Sequence, residues 1–263
     1  MSGIRPARLR PRALRLALAS TLICVGAAGA RGDGADWFPL AEGGRWSYQT
    51  HRERTVEAAG EGRQRAAFSG SLEFTAHAIE GVPEYEIQQL LRETAAETPL
   101  LSRPPAAQLA RERWSAGPRG VRLHARLGPG AGGRIAFEPP LLILPADPAP
   151  GRRWRAGRFR DGAVAIEVEG EVVGAVELRV AGRPRDCRHV RHHGAVSPDP
   201  DRAPGAAPVS GSYARESWWC RGVGVVRDET RFELEEPAAS GDGAVVRASD
   251  RFTLTLSELD ATP

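Results

Sequence analysis

A chain of 263 residues with 41% hydrophobic and 26% charged residues is long enough for a sizeable core, which excludes a disordered or fibrous protein. Thirty glycines and 21 prolines require many turns and favour short strands over long helices. Every basic residue other than His is Arg, and the formal charge is +3. Residues 1–30 hold five arginines (Arg5, Arg8, Arg10, Arg12, Arg15) and no acid, so removing five charges from +3 leaves −2 for the rest. The pI of about 9.1 therefore belongs to the whole chain, and a nucleic-acid partner loses its electrostatic basis.

In chain order, the Arg-rich start is followed by an apolar run from Leu16 to Val25 and small residues up to Ala30. Ala28 and Ala30 occupy the −3 and −1 positions of a cleavage site, which predicts a signal peptide over 1–30 and a mature start at Arg31. Ile23 stands where lipid attachment at Cys24 needs a small residue. No other segment reaches the roughly 18 apolar residues of a membrane helix, so the mature chain is expected to have no transmembrane segment and to be periplasmic or extracellular.

From residue 44 onward, period-2 alternation recurs. It runs through Trp46 and Tyr48, then Phe68, Leu72, Phe74 and Ala76. Val121, Leu123, Ala125 and Leu127 share one face against Arg122, His124 and Arg126. Val164–Val168, Val172–Val180 and Phe252–Leu256 follow the same rule. One apolar and one wet face per strand predicts an all-β domain over 31–263, an antiparallel β-sandwich or half-open β-barrel of about ten to twelve strands. Glu84–Ala96 is ambiguous but favours a strand, and Ala106–Arg111 is a candidate helical turn. Connections are expected at Ala58–Gln64, Gly128–Gly133, Ser197–Ser212 and Pro237–Gly243, which are rich in Gly, Pro or small residues.

Two segments echo each other. Phe38-Pro39-Leu40 leads through Gly43-Gly44-Arg45 into Trp46, and Ile143-Leu144-Pro145 leads through Gly151-Arg152-Arg153 into Trp154. A half-domain duplication and two similar loops explain this equally well.

After residue 30 only Cys187 and Cys220 remain. If Arg185–His193 pairs with Tyr213–Cys220 and Gly194 lies opposite Tyr213, Cys187 falls opposite Cys220. A disulfide there fits an oxidising compartment; the alternative is two buried free thiols.

His189 and His193 lie on one face of a strand and are the candidate metal ligands, with Asp199 or Asp201 able to add oxygen, although Arg185, Arg188 and Arg191 oppose a cation. Solvent-exposed histidines at a strand end are the competing reading. No nucleophile elbow or phosphate-binding loop occurs, and the alternating Glu167, Glu169, Glu171 and Glu177 describe a wet face. No catalytic residue and no cofactor are therefore expected. Trp218 and Trp219 must point to opposite faces of a strand, so one enters the core. The other is available to a ligand or partner, or lies beneath the Ser197–Ser212 segment.

Asp36-Trp37-Phe38-Pro39-Leu40-Ala41-Glu42-Gly43-Gly44-Arg45-Trp46-Ser47-Tyr48 resembles the opening of a broad group of exported bacterial proteins, many of them lipoproteins. Their mature chains begin with an aromatic-Phe-Pro-Leu-x-x-Gly-x-x-Trp-x-Tyr run. Pro139–Pro145 followed by Gly151 and Trp154, and Trp218–Arg227, are similar to later segments of that group. The group usually has Ala-Pro where Cys220-Arg221 stand. The resemblance implies an exported all-β fold without accepted catalytic residues. The leading expectation is a non-enzymatic envelope or secreted domain that binds a partner protein or glycan. The alternative is a carrier for a lipid or other apolar ligand in a half-open barrel, and a cavity rather than a packed core would favour it.

Overall fold

The computed structural model describes residues 33–58, 62–96, 107–127, 134–161, 164–199, 209–237 and 245–260. The expected signal peptide over 1–30 lies outside the described residues. A five-residue helix α1 (Asp33–Trp37) precedes twelve strands. These are β1 (Arg45–Ala58), β2 (Gly62–Ala78), β3 (Tyr85–Ala96), β4 (Gln108–Gly117), β5 (Gly120–Leu127) and β6 (Arg134–Leu144), then β7 (Arg153–Asp161), β8 (Val164–Val180), β9 (Arg183–Pro198), β10 (Ser210–Cys220), β11 (Gly224–Pro237) and β12 (Val245–Asp260). The ambiguous Glu84–Ala96 is strand β3. Residues 108–111 of the expected helical turn begin β4 instead, because Leu109, Glu112 and Trp114 take part in an antiparallel ladder with β3.

All twelve strands form one antiparallel sheet in the order β6-β5-β4-β3-β2-β1-β12-β11-β10-β9-β8-β7. Within β1–β6 and within β7–β12 each strand pairs with the next in the chain, and β1 pairs with β12 to unite two six-stranded halves. The sheet curls into a nearly closed barrel, with side chains alternating between lumen and exterior as the pleat requires. Its ends, β6 and β7, share no backbone ladder. Side chains bridge that seam: Trp154 Nε1 donates to Leu142 O at 2.8 Å, and His192 Nε2 donates to Ile143 O at 3.0 Å. Phe137 and Phe159 add an edge-to-face contact at 6.1 Å. Pro139 and Pro140, which lack an N–H, sit in edge strand β6, where a missing donor costs least.

The two sequence echoes open the first strand of each half. Gly43 N bonds Ala76 O and Ala76 N bonds Gly44 O; likewise Gly151 N bonds Val172 O and Val172 N bonds Arg152 O. Gly43 and Gly151 hold φ of 74° and 81°, a region costly for other residues. The parallel extends beyond these turns. The fourth strand of each half carries a tryptophan, Trp114 and Trp219, whose indole donates to the side chain two residues earlier, Glu112 and Ser217, at 3.0 Å in both cases. Each half thus repeats the other in strand count, entry turn and tryptophan placement.

One end of the barrel is plugged. Helix α1 lies close to the β4–β5 turn, where a Cβ on Gly34 would approach Gly117 O to 2.5 Å. Trp37 is fully buried, with Arg188 and Arg221 stacked on it at 5.0 and 5.1 Å. Phe38 then reaches into the lumen and meets Trp46, Trp114 and Trp219 at 5.6–5.7 Å between ring centroids. Trp46 Nε1 and Tyr48 Oη donate to Val223 O and Val225 O, so the polar tips of both rings are satisfied inside an apolar layer.

Candidate functional site in the barrel lumen

Above the aromatic plug the lumen is not filled. A cavity of about 190 Å³ is walled by Phe38, Tyr48, Leu72, Phe74, Ile87, Trp114, Leu123, Leu141, Ile143, Trp219 and Leu254, among others. A second cavity of about 220 Å³, lined by Val164, Ile166, Val196, Leu234 and Ala248, shares Phe159 and Phe232 with the first. Protein cores pack with few voids larger than a water molecule, and both spaces exceed that size.

A belt of charged side chains interrupts the apolar wall. Arg126 Nε donates to Glu112 Oε1 at 2.7 Å, and Arg215 Nε donates to Asp228 Oδ2 at 2.6 Å. All four line the first cavity together with Tyr213, Gln89 and Thr230. Ladder geometry places them there. Glu112 lies two residues from inward Trp114, and it pairs with Arg126 across β4–β5. Arg215 and Tyr213 share the face of Trp219, while Asp228 and Thr230 sit across from Leu254 and Phe252. The alternation of β5 predicts Arg126 on the wet face. A register shift between Leu123 and Ala125 moves it to the lumen side opposite Glu112.

Burial raises the Tyr213 hydroxyl above its usual pKa, as it does that of Tyr48, with the Asp228 charge adding to the effect. Desolvation opposes the charge on Arg215, but Asp228, Tyr213 and Glu112 outweigh it and leave its pKa raised. Further along the lumen, Arg52 Nε bonds both oxygens of Asp250 at 2.9 and 3.1 Å. Nearby Glu93 is pushed up by burial.

The residues singled out in the sequence lie apart from this cavity, with one exception. Cys187 and Cys220 are directly opposed on β9 and β10 in the expected register, with Gly194 opposite Tyr213, and form a disulfide with Cα atoms 4.0 Å apart. Trp219 is the inward member of its pair, fully buried, and belongs to the cavity wall. Trp218 faces out between its two cross-strand neighbours. His189 stacks parallel to it at 4.6 Å, and the Arg227 guanidinium lies 4.8 Å from its centroid.

His189 and His193 share a face, but they stand four strand positions apart, about 13 Å, so they do not converge on one ion. His189 bonds Glu216, and His193 Nε2 lies 3.6 Å from Glu169. The same strand spacing that puts them on one face keeps them apart. Among the described residues no group of three or more His, Cys, Asp or Glu side chains is arranged to hold a metal. Asp201 lies outside the described residues. No helix among them is long and apolar enough to cross a membrane.

Glu167 and Glu171 pair with Arg155 and Arg153 on the outer surface, as expected for a wet face. The belt itself escaped the sequence reading, because a charge inside a strand ordinarily marks solvent. Parity carried a signal nonetheless: Arg215 has the same alternation phase as Tyr213 and Trp219.

No protein-family model and no curated protein matches the chain. Among solved structures it is similar to a candidate lipoprotein from Parabacteroides distasonis ATCC 8503, at 15% identity over 85% of this chain and 98% of that one, with a TM-score of 0.35. It is also similar to DynF from the dynemicin biosynthesis pathway of Micromonospora chersina, at 11% identity over 82% of this chain and 81% of that one, with a TM-score of 0.24.

Proposed function

We propose that this protein is an exported, non-enzymatic barrel that holds a small apolar molecule in its lumen. The observation that carries the reading is the cavity of about 190 Å³ with its wall of Phe, Leu, Ile and Trp side chains. A cavity of roughly 150 Å³ lined by Leu, Ile and Phe is enough to bind benzene, and a mostly apolar pocket with a few placed polar groups is the usual form of a small-molecule site. Export is supported by the cleavable-leader pattern of residues 1–30 and by the Cys187–Cys220 disulfide. Binding rather than catalysis is favoured because both belt carboxylates are engaged by arginines.

The partner-protein or glycan alternative rests on an outward tryptophan with a free face. Trp218 is flanked by His189 and Arg227, which leaves little ring surface for a sugar.

The test is fluorescence of the neutral probe N-phenyl-1-naphthylamine. Its emission should rise on addition of the protein, with a midpoint in the micromolar range. Ile87→Trp, which fills the cavity, should abolish the rise while Leu109→Trp, on the exposed surface, should preserve it. Equal enhancement by both variants would place the probe elsewhere and refute the proposal.

A further inference from the structure

The belt narrows what the lumen accepts. Its charges cancel: Arg126 and Arg215 against Glu112 and Asp228. Each of its four carboxylate oxygens already accepts one hydrogen bond. Glu112 Oε1 accepts from Arg126 Nε and its Oε2 from Trp114 Nε1 at 3.0 Å. Asp228 Oδ2 accepts from Arg215 Nε and its Oδ1 from Thr230 Oγ1 at 3.1 Å. Donors remain. The hydrogen bond of Arg126 among the described residues uses Nε alone, and the guanidinium has four further N–H groups. Its side chain lines the cavity and keeps 54% of its surface accessible, so these donors can be reached by a ligand.

We infer that the ligand is an electrically neutral amphiphile whose apolar body rests on the aromatic plug and whose single carbonyl-type oxygen accepts from Arg126. The inference rests on the cavity reading above and adds the chemistry of the ligand. The belt already balances its own charge, so an anionic head would bring an uncompensated charge beside two carboxylates and a cationic head one beside two guanidiniums; both carry a desolvation cost that pairing does not repay. A plain hydrocarbon would displace water from the Arg126 donors and give them no partner in return. A ketone or ester meets both conditions.

Three ten-carbon phenyl compounds separate the cases by displacement of N-phenyl-1-naphthylamine at pH 7.4: butylbenzene, butyrophenone and 4-phenylbutanoate. Butyrophenone should displace the probe at about tenfold lower concentration than either of the others, the value of one charge-assisted hydrogen bond. The double variant Arg126→Met with Glu112→Gln, which removes both charges together and is assayed at its own probe midpoint, should lose the preference for butyrophenone over butylbenzene. Displacement by 4-phenylbutanoate as strong as by the ketone would overturn neutrality. Equal displacement by butylbenzene, or a preference that survives in the double variant, would overturn the role of Arg126. A probe that never binds wild type refutes the cavity reading itself, an outcome distinct from the other two.

Discussion

His192 makes the barrel seam sensitive to acid. Its ring is 1% exposed and lies edge-on to Trp154 at 5.6 Å. Because Nε2 donates to Ile143 O, Nδ1 carries no proton, and that buried atom has no partner. Protonation would place a charge where nothing receives it. Burial, reinforced by the Arg215 charge, pushes the pKa from 6.5 down to about 3. Between these values the unfolded chain binds a proton that the folded chain does not. Stability therefore falls as pH drops through this window and is retained above about 6.5. At about 1.36 kcal/mol per pH unit, moving from pH 7 to 4.5 should cost roughly 2.5 kcal/mol from this group alone. The assay is urea denaturation of wild type and His192→Gln at pH 7.0, 5.5 and 4.5. Glutamine keeps an N–H donor for Ile143 O but does not titrate, so other ionising groups cancel in the difference. Wild type should lose about 2–3 kcal/mol more than the variant over this range, about half of it by pH 5.5. Parallel pH profiles would show that His192 is not buried neutral against β6.

Other expectations follow from the same geometry. Reducing the Cys187–Cys220 disulfide, which closes a loop with a sequence separation of 33, should cost about 3–4 kcal/mol, read as a lower urea midpoint with a mass gain of two hydrogens; an unchanged midpoint would contradict it. Trp154→Phe removes the indole donor to Leu142 O and should cost about 1–2 kcal/mol. Hydrogen exchange should quicken in β6 and β7 first, and a uniform loss of protection would argue against a side-chain-closed seam.

Much of the fold was legible because one period governs it. Alternation from Trp46 to Leu256 gives the strands, and the single register linking Gly194 to Tyr213 places both cysteines. The choice between sandwich and barrel was not legible, because both need the same inward–outward pattern. Closure depends on Trp154 and His192 reaching carbonyls of β6, a contact between residues 12 and 49 positions apart. The rule that adjacent strand residues diverge correctly separated Trp218 from Trp219. The candidate site stayed hidden for a physical reason. Glu112, Arg126, Arg215 and Asp228 are inward charges made tolerable only by cross-strand partners, so each alone reads as surface. For Arg126 a register shift also reverses the parity. His189 and His193 illustrate the converse: sharing a face is legible from spacing, but convergence needs distance, and a strand extends by about 3.3 Å per residue.

The most direct test of the central claim is native mass spectrometry of the protein purified without organic solvent from the cells that make it. The account predicts an adduct of one small neutral molecule, released by solvent extraction and displaced by N-phenyl-1-naphthylamine. A bare chain that also leaves the probe dark would contradict a ligand-binding lumen.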